Sequence, residues 1–425
     1  MTQSGADPVV AVESASGRGR SVVALLDQVL SGLSNFLTLA VVARSTTTDG
    51  FGHFSLAYAL LIALLTLVRA LWGTRISLAG SAAGALTTAR GLLGALAIAA
   101  PVIGVLVLLP TLLLTGGDGV GMVVIIAVAA PLVCAQDLCR FAAISGGRPG
   151  VAAAADLFWV VVVVGAYVVD PGPLAAVSVW LFGAVGGLLM AASALRLVPS
   201  FRDGARALRQ WERTGVGIAV GNMSLQLGSY VVLGLATVAV SFTASGALRG
   251  ASSVMAPVNT VLGFLTIGLL PVLHRRPPEG QQRFAAGVAA ATALLAAAWT
   301  AVLLVLPTDI GRLLLGDTWE TARPLLPWTG AEYLCLVIGA AALLGLQARQ
   351  AGRLLLRLGL GMAGLLVAAA VLAAALGSST VVFAIAQAAA ALIGASVAWV
   401  AYRRVAARSS GTERIPAPGG RAELG

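Results

Sequence analysis

Twelve stretches of roughly 20 residues, each almost free of charge, recur along the 425-residue chain and confine it to a helical fold embedded in lipid. Where water is absent, every backbone donor and acceptor must be satisfied inside the segment, so an apolar stretch of that length is a transmembrane helix. The spans fall near residues 21–43, 54–76, 91–110, 119–139, 150–169 and 174–195, then 216–240, 252–273, 284–306, 327–347, 354–376 and 380–402. Turn and charge signals separate them, such as Gly116-Gly117-Asp118-Gly119 and Asp170-Pro171-Gly172-Pro173. Hydrophobic residues make up 59% of the chain and charged residues 10%, against about 25% charged in a soluble domain, so no single water-soluble core could hide the apolar surface.

Orientation follows from the arginines, because cytoplasmic loops retain an excess of positive charge. All 27 basic residues are arginine. With the N-terminus inside, 22 of them fall in cytoplasmic segments, Arg44, Arg249, Arg312 and Arg323 fall outside, and Arg69 lies within a span. Both termini are therefore expected in the cytoplasm. The expected organisation is a disordered cytoplasmic tail (1–20), an N-terminal six-helix lobe (21–195), a basic cytoplasmic linker (196–215), a C-terminal six-helix lobe (216–402) and a second cytoplasmic tail (403–425). The first apolar stretch is too long for a signal-peptide core and reads as a retained helix. Net charge of +10 is thus mostly a topology signal rather than a nucleic-acid footprint.

Absence of lysine removes Walker A and Schiff-base chemistry. Two histidines, His53 in an expected outer loop and His274 in an inner one, give little material for a triad or a metal cluster. Cys134, Cys139 and Cys335 all fall in spans, the first two on different helix faces, so neither a disulfide nor a metal site is expected. A formal dinucleotide fingerprint, Gly359-Leu-Gly361-Met-Ala-Gly364, sits inside a span with no preceding strand. Its small residues, like the Gly183 and Gly187 pair, are read as points of close helix approach. An enzyme would have to place its acids in the outer segment 307–326, at Asp309, Asp317 and Glu320, a stretch too short for a catalytic domain.

Sliding the second half over the first by 194 residues lays helix 7 on helix 1 and helix 8 on helix 2 without a gap. Asn35-Phe36 then falls on Ser229-Tyr230, and Gly50-Phe51-Gly52 on Ala244-Ser245-Gly246. A six-helix shift preserves orientation, so the repeat is parallel and the lobes are related by an axis along the membrane normal. Transport sites in such proteins lie between the lobes.

Asp27, Ser31, Ser34, Asn35 and Thr38 share one face of helix 1, and Asn222, Gln226 and Ser229 repeat the idea on helix 7. Polar faces on apolar helices must point into a cavity or against a partner helix. Asp27, Arg69, Asp137, Asp156 and Glu332 are charges within spans, each costing roughly 3 kcal/mol at mid-membrane. An Asp27 to Arg69 pair and an Asp137 to Arg140 pair at i, i+3 are both conceivable. Two readings stay open: Arg69, with rim residues Arg75 and Arg140, binds an anionic headgroup, or these charges form an internal network holding the first lobe together. Asp137, Asp156 and Glu332 are candidate coupling carboxylates for a proton or sodium. Pro131 and Pro257 are expected to bend helices 4 and 8.

The run from Leu26 to Phe36, then Ala43-Arg44 and Gly50-Phe51-Gly52-His53-Phe54, resembles the polysaccharide flippases of the MATE-like exporter superfamily. That resemblance implies an all-α polytopic membrane protein of two six-helix lobes, without a cofactor. It implies movement of a lipid-linked oligosaccharide, carried on polyprenyl pyrophosphate, from the inner to the outer leaflet. On that view Asp27, Ser31, Asn35, Arg69, Asn222 and Gln226 line the substrate cleft, the bilayer and the glycan lipid are the partners, and polysaccharide-assembly enzymes are further candidates. The buried acids point instead to a cation-coupled antiporter of drugs or metabolites. A membrane glycosyltransferase or an envelope scaffold is the remaining alternative.

Overall fold

The computed structural model describes residues 30–77, 81–169, 172–209, 213–264, 276–349, 351–377 and 379–412, with Leu26, Ala79, Leu269 and Leu273 besides. Among them the chain is almost wholly helical. Helix α1 covers 30–45, α2 Thr48–Ser77, α3 Ala82–Thr115, α4 Val120–Ser145, α5 Pro149–Val169 and α6 Pro173–Leu195. A short α7 (Phe201–Arg209) precedes α8 (Arg213–Ala239), α9 (Phe242–Ser253) and α10 (Ala256–Phe264). Then follow α11 (Pro278–Val305), α12 (Thr308–Leu315), α13 (Thr318–Ala322), α14 (Leu326–Ala348), α15 (Gly352–Gly377) and α16 (Thr380–Thr412).

Nine helices among the described residues are long and apolar enough to cross a membrane. The other three expected spans, 21–43, 216–240 and 252–273, are helical over 30–45, in α8 and in α9 with α10. Large apolar side chains face outward, Leu113 at 76% and Val305 at 79% exposure, as a lipid-facing surface requires. At the α3 to α4 turn, Gly116, Gly117 and Gly119 all take positive φ, which is why a glycine-rich stretch makes the reversal.

Packing repeats between the halves. Helix α3 packs on α4 as α11 packs on α14, α4 on α6 as α14 on α16, and α5 on α6 as α15 on α16. The shift of 194 is visible in atomic detail where α2 meets α9. Thr47 caps α2 by accepting from the Gly50 amide at 3.2 Å, and Ser241 caps α9 by accepting from the Ala244 amide at 3.2 Å. A Cβ at Gly52 would collide with the Phe242 carbonyl oxygen, and one at Gly246 with the Thr48 carbonyl oxygen. Each contact is the other's repeat image, so the two helices cross backbone to backbone on the pseudo-axis. Thr243 donates to Asp49 beside them.

Several expectations need correction. The second-half helix expected at 252 begins at Phe242, ten residues earlier, so Arg249 is helical rather than in an outer loop. His53 is likewise in α2, 9% exposed, with its ring centroid 4.1 Å from that of Phe242, because the Thr47 cap starts the helix before it. His274 lies outside the described residues. The expected linker 196–215 contains α7, which docks on α3 where Gly94 meets Ser200 and Gly204 meets Ala95. Helix α16 runs to Thr412, through the first part of the expected tail, whereas the tail 1–20 is outside the described residues. Gly183 abuts Trp159 and Gly187 abuts Ala155, as close approach demands, but Gly361 and Gly364 face open space. The fingerprint is thus an ordinary run of α15. Helix α4 continues through Pro131, while the break at Val254-Met255 sits just before Pro257, where Trp299 donates to the freed Val254 carbonyl at 2.9 Å.

Candidate functional site

Beneath the α2–α9 crossing, a cavity of about 480 Å³ opens between the halves. The first half contributes Ser31 and Asn35 from α1 and Tyr58 and Arg69 from α2. Ser229 from α8, Arg249 and Ser252 from α9, Asn259 from α10, and Glu332 and Tyr333 from α14 face them.

On α1, Ser31 and Asn35 are one turn apart and both reach the cavity. Ser34 and Thr38, from the same sequence stripe, instead donate to the carbonyls of Ser31 and Ser34 at 2.9 and 2.7 Å, satisfied within their own helix. Asn35 accepts from the Tyr58 hydroxyl at 2.8 Å. Across the cavity, Asn259 donates to the Tyr333 hydroxyl at 3.1 Å, and that hydroxyl reaches the Ser252 carbonyl at 3.4 Å. The wall is therefore a series of amides and hydroxyls held in place by one another.

Arg69 enters at a π-helical turn, Arg69–Gly73, which adds a residue to the ladder of α2 and swings the side chain toward α4. Among the described residues its partner is Asp137, through two parallel bonds of 2.8 and 2.7 Å. Asp27 and the side chains of Asn222 and Gln226 lie outside the described residues. Arg140 sits 3.8 Å from Asp137, the expected i, i+3 pair, and 3.7 Å from Asp156, and donates to Ser31 at 3.3 Å. Gln136 donates to Asp156 at 2.8 Å. Asp137 and Asp156 are both 2% exposed, so the two acids and Arg140 form a buried network behind the cavity wall, with Arg69 as its one arm into the cavity. Arg75 and Arg140 lie outside the cavity lining.

Arg249, missed in the sequence, and Glu332 are the charges that remain. Among the described residues neither has an oppositely charged group within 4 Å. The Arg249 guanidinium lies over the Tyr58 ring, 5.3 Å from its centroid. A signal for Arg249 existed: the 194-residue shift lays it on Ser55, within the span expected at 54–76. Of the outer acids, Glu320 is paired with Arg312, and Asp309 and Asp317 stand near it at the ends of the short α12 and α13, away from the cavity.

The fold so built is that of the MATE transporters. The chain superposes on the inward-facing conformation of a multidrug resistance MATE family transporter of the MOP superfamily with a TM-score of 0.75 at 14% identity, covering 93% of this chain and 99% of that one. Against the outward-facing conformation of such a transporter the TM-score is 0.63, at 14% identity over 92% and 95% of the chains. A MOP superfamily transporter from Pyrococcus furiosus, described as having a binding pocket of reverse polarity, gives 0.61 at 15% identity over 92% and 95%. No protein-family model and no curated protein matches the sequence.

Proposed function

We propose that this chain is a multi-pass transporter of the cell membrane, both termini cytoplasmic, that moves polyprenyl-pyrophosphate-linked oligosaccharide from the inner to the outer leaflet by alternating access. The observation that carries the reading is Arg249, a guanidinium in the cavity with no carboxylate within 4 Å among the described residues. A cation that no described acid neutralises suits a ligand bringing its own negative charge, and arginine's planar donors match two phosphate oxygens at once. The acids that argued for cation coupling, Asp137 and Asp156, are engaged by Arg69 and Arg140. Amides and hydroxyls of Asn35, Ser252, Asn259 and Tyr333 supply contacts for sugar, and the lipid tail stays in the bilayer.

A second reading, the cation-coupled antiporter, is favoured by Glu332, which lines the cavity with no counter-ion within 4 Å among the described residues. The two separate in proteoliposomes given labelled lipid-linked oligosaccharide with and without proton or sodium gradients. Movement of the glycan lipid supports the flippase. No movement, together with gradient-driven efflux of a small organic cation, would refute it and install the antiporter.

A further inference from the structure

Tyr58 and Arg249 stand on opposite sides of the boundary between the halves, and they differ in how firmly each is held. The tyrosine is fixed: 2% exposed, its hydroxyl spent on Asn35, its ring centroid 5.2 Å from that of Phe54 and 6.1 Å from that of Trp180. The arginine is not. Its Nε is buried without a hydrogen-bond partner among the described residues, and its guanidinium rests on the tyrosine face. An aromatic face attracts a cation but accepts none of its N–H groups in the plane of the fork, whereas a phosphate offers both charge and acceptors there. An arriving anion therefore outcompetes the ring.

Position gives this exchange a consequence. Arg249 lies one helical turn from Gly246 on α9, and Tyr58 lies six residues from Gly52 on α2, so their contact is a tie across the boundary just inside the backbone crossing. We propose that Tyr58 is the resting partner of Arg249, and that an anionic headgroup lifts the guanidinium off the ring, so that occupancy of the cavity loosens the α2–α9 crossing. Tyr58 then acts as a positioning residue, setting both the affinity for the anion and the coupling of binding to opening. The inference rests on the anionic-substrate reading above.

The test uses the full-length protein in lipid nanodiscs, with farnesyl pyrophosphate as probe and farnesol as the uncharged control. Binding is measured directly. The crossing is followed by the rate at which cysteines introduced as Asp49→Cys and Thr243→Cys form a disulfide. In the parental background the probe slows cross-linking and farnesol does not. Tyr58→Leu, which has no ring to vacate, binds the probe on the order of fivefold more tightly, the weight of one cation–π contact. It also cross-links slowly before any probe is added. Tyr58→Phe keeps the ring and restores parental behaviour in both readouts. If the parent binds the probe but Tyr58→Leu matches Tyr58→Phe in affinity and cross-linking rate, the tie is overturned and the anion reading stands. If the parent binds farnesyl pyrophosphate no better than farnesol, both fall together.

Discussion

Arg69 and Arg249 both face the cavity, yet their surroundings assign them opposite roles. Asp137 holds Arg69 through two bonds and is itself buried, so losing the guanidinium strands a carboxylate whose next cation, Arg140, is 3.8 Å away. Arg69→Gln is expected to cost about 1–2 kcal/mol, a value lowered because 41% of the Arg69 side chain is exposed. Adding Asp137→Asn should return most of it, a coupling that thermal-inactivation midpoints of the two single variants and the double variant will measure. Arg249→Gln breaks no ion pair among the described residues and loses only the contact with the Tyr58 ring, so on the proposed reading it should cost no more than about 1 kcal/mol while glycan-lipid transport is lost. The contrary pattern, a silent Arg69→Gln beside an unstable Arg249→Gln, would exchange the roles. Half of this was legible beforehand. Spacing placed Ser31 and Asn35 on one polar face that had to meet a cavity or a partner helix, and the family resemblance made them cleft candidates; both line the cavity. Spacing did not reveal that Ser34 and Thr38 turn back to their own backbone, nor that Arg69 reaches across to α4, since that choice is made by a π-turn and a neighbouring helix.

At the scale of elements, the junction of α2 and α9 explains why one arginine was misplaced. The first turns of α9, Phe242-Thr-Ala-Ser-Gly-Ala-Leu-Arg, are weakly apolar and read as loop, but small residues are what a backbone crossing needs. Glycine here is a requirement of contact rather than of flexibility. Gly246→Val places side-chain carbon against the Thr48 carbonyl and should force the crossing apart, and Gly52→Val should do the same against Phe242. Each is expected to slow cross-linking of the Asp49→Cys and Thr243→Cys pair at least tenfold, whereas Gly361→Ala, in open space, leaves the rate unchanged. Equal cross-linking in all three would mean that the helices part and rejoin without regard to this contact. Nine of the expected spans, and the repeat where α2 meets α9, were readable because lipid enforces length and apolarity along each helix. Docking of α7 on α3 was not, since it depends on two glycines matched across a long sequence separation.

For the whole molecule, the repeat governs the scaffold and stops short of the chemistry. The caps and glycines of the crossing recur at a shift of 194, yet Tyr58 answers to Ser252 and Arg249 to Ser55. A pseudo-symmetric scaffold can close at either end by equivalent contacts, while an asymmetric lining binds one ligand in one orientation. The present arrangement is closed at the crossing. Oxidising the Asp49→Cys and Thr243→Cys pair should therefore fix the molecule with its cavity reachable from the opposite end only. Transport of lipid-linked oligosaccharide into the outer leaflet should stop and recover on reduction. Binding of farnesyl pyrophosphate in nanodiscs should persist through the cross-link, weakened no more than the tie between Tyr58 and Arg249 requires. Cys134 and Cys139 are buried within α4, and Cys335, partly exposed on α14, is replaced in the test by Cys335→Ser so that it does not compete for the oxidant. Transport that continued in the oxidised protein would show that substrate passes without separation of α2 from α9, and an alternating-access mechanism built on their crossing would have to be abandoned.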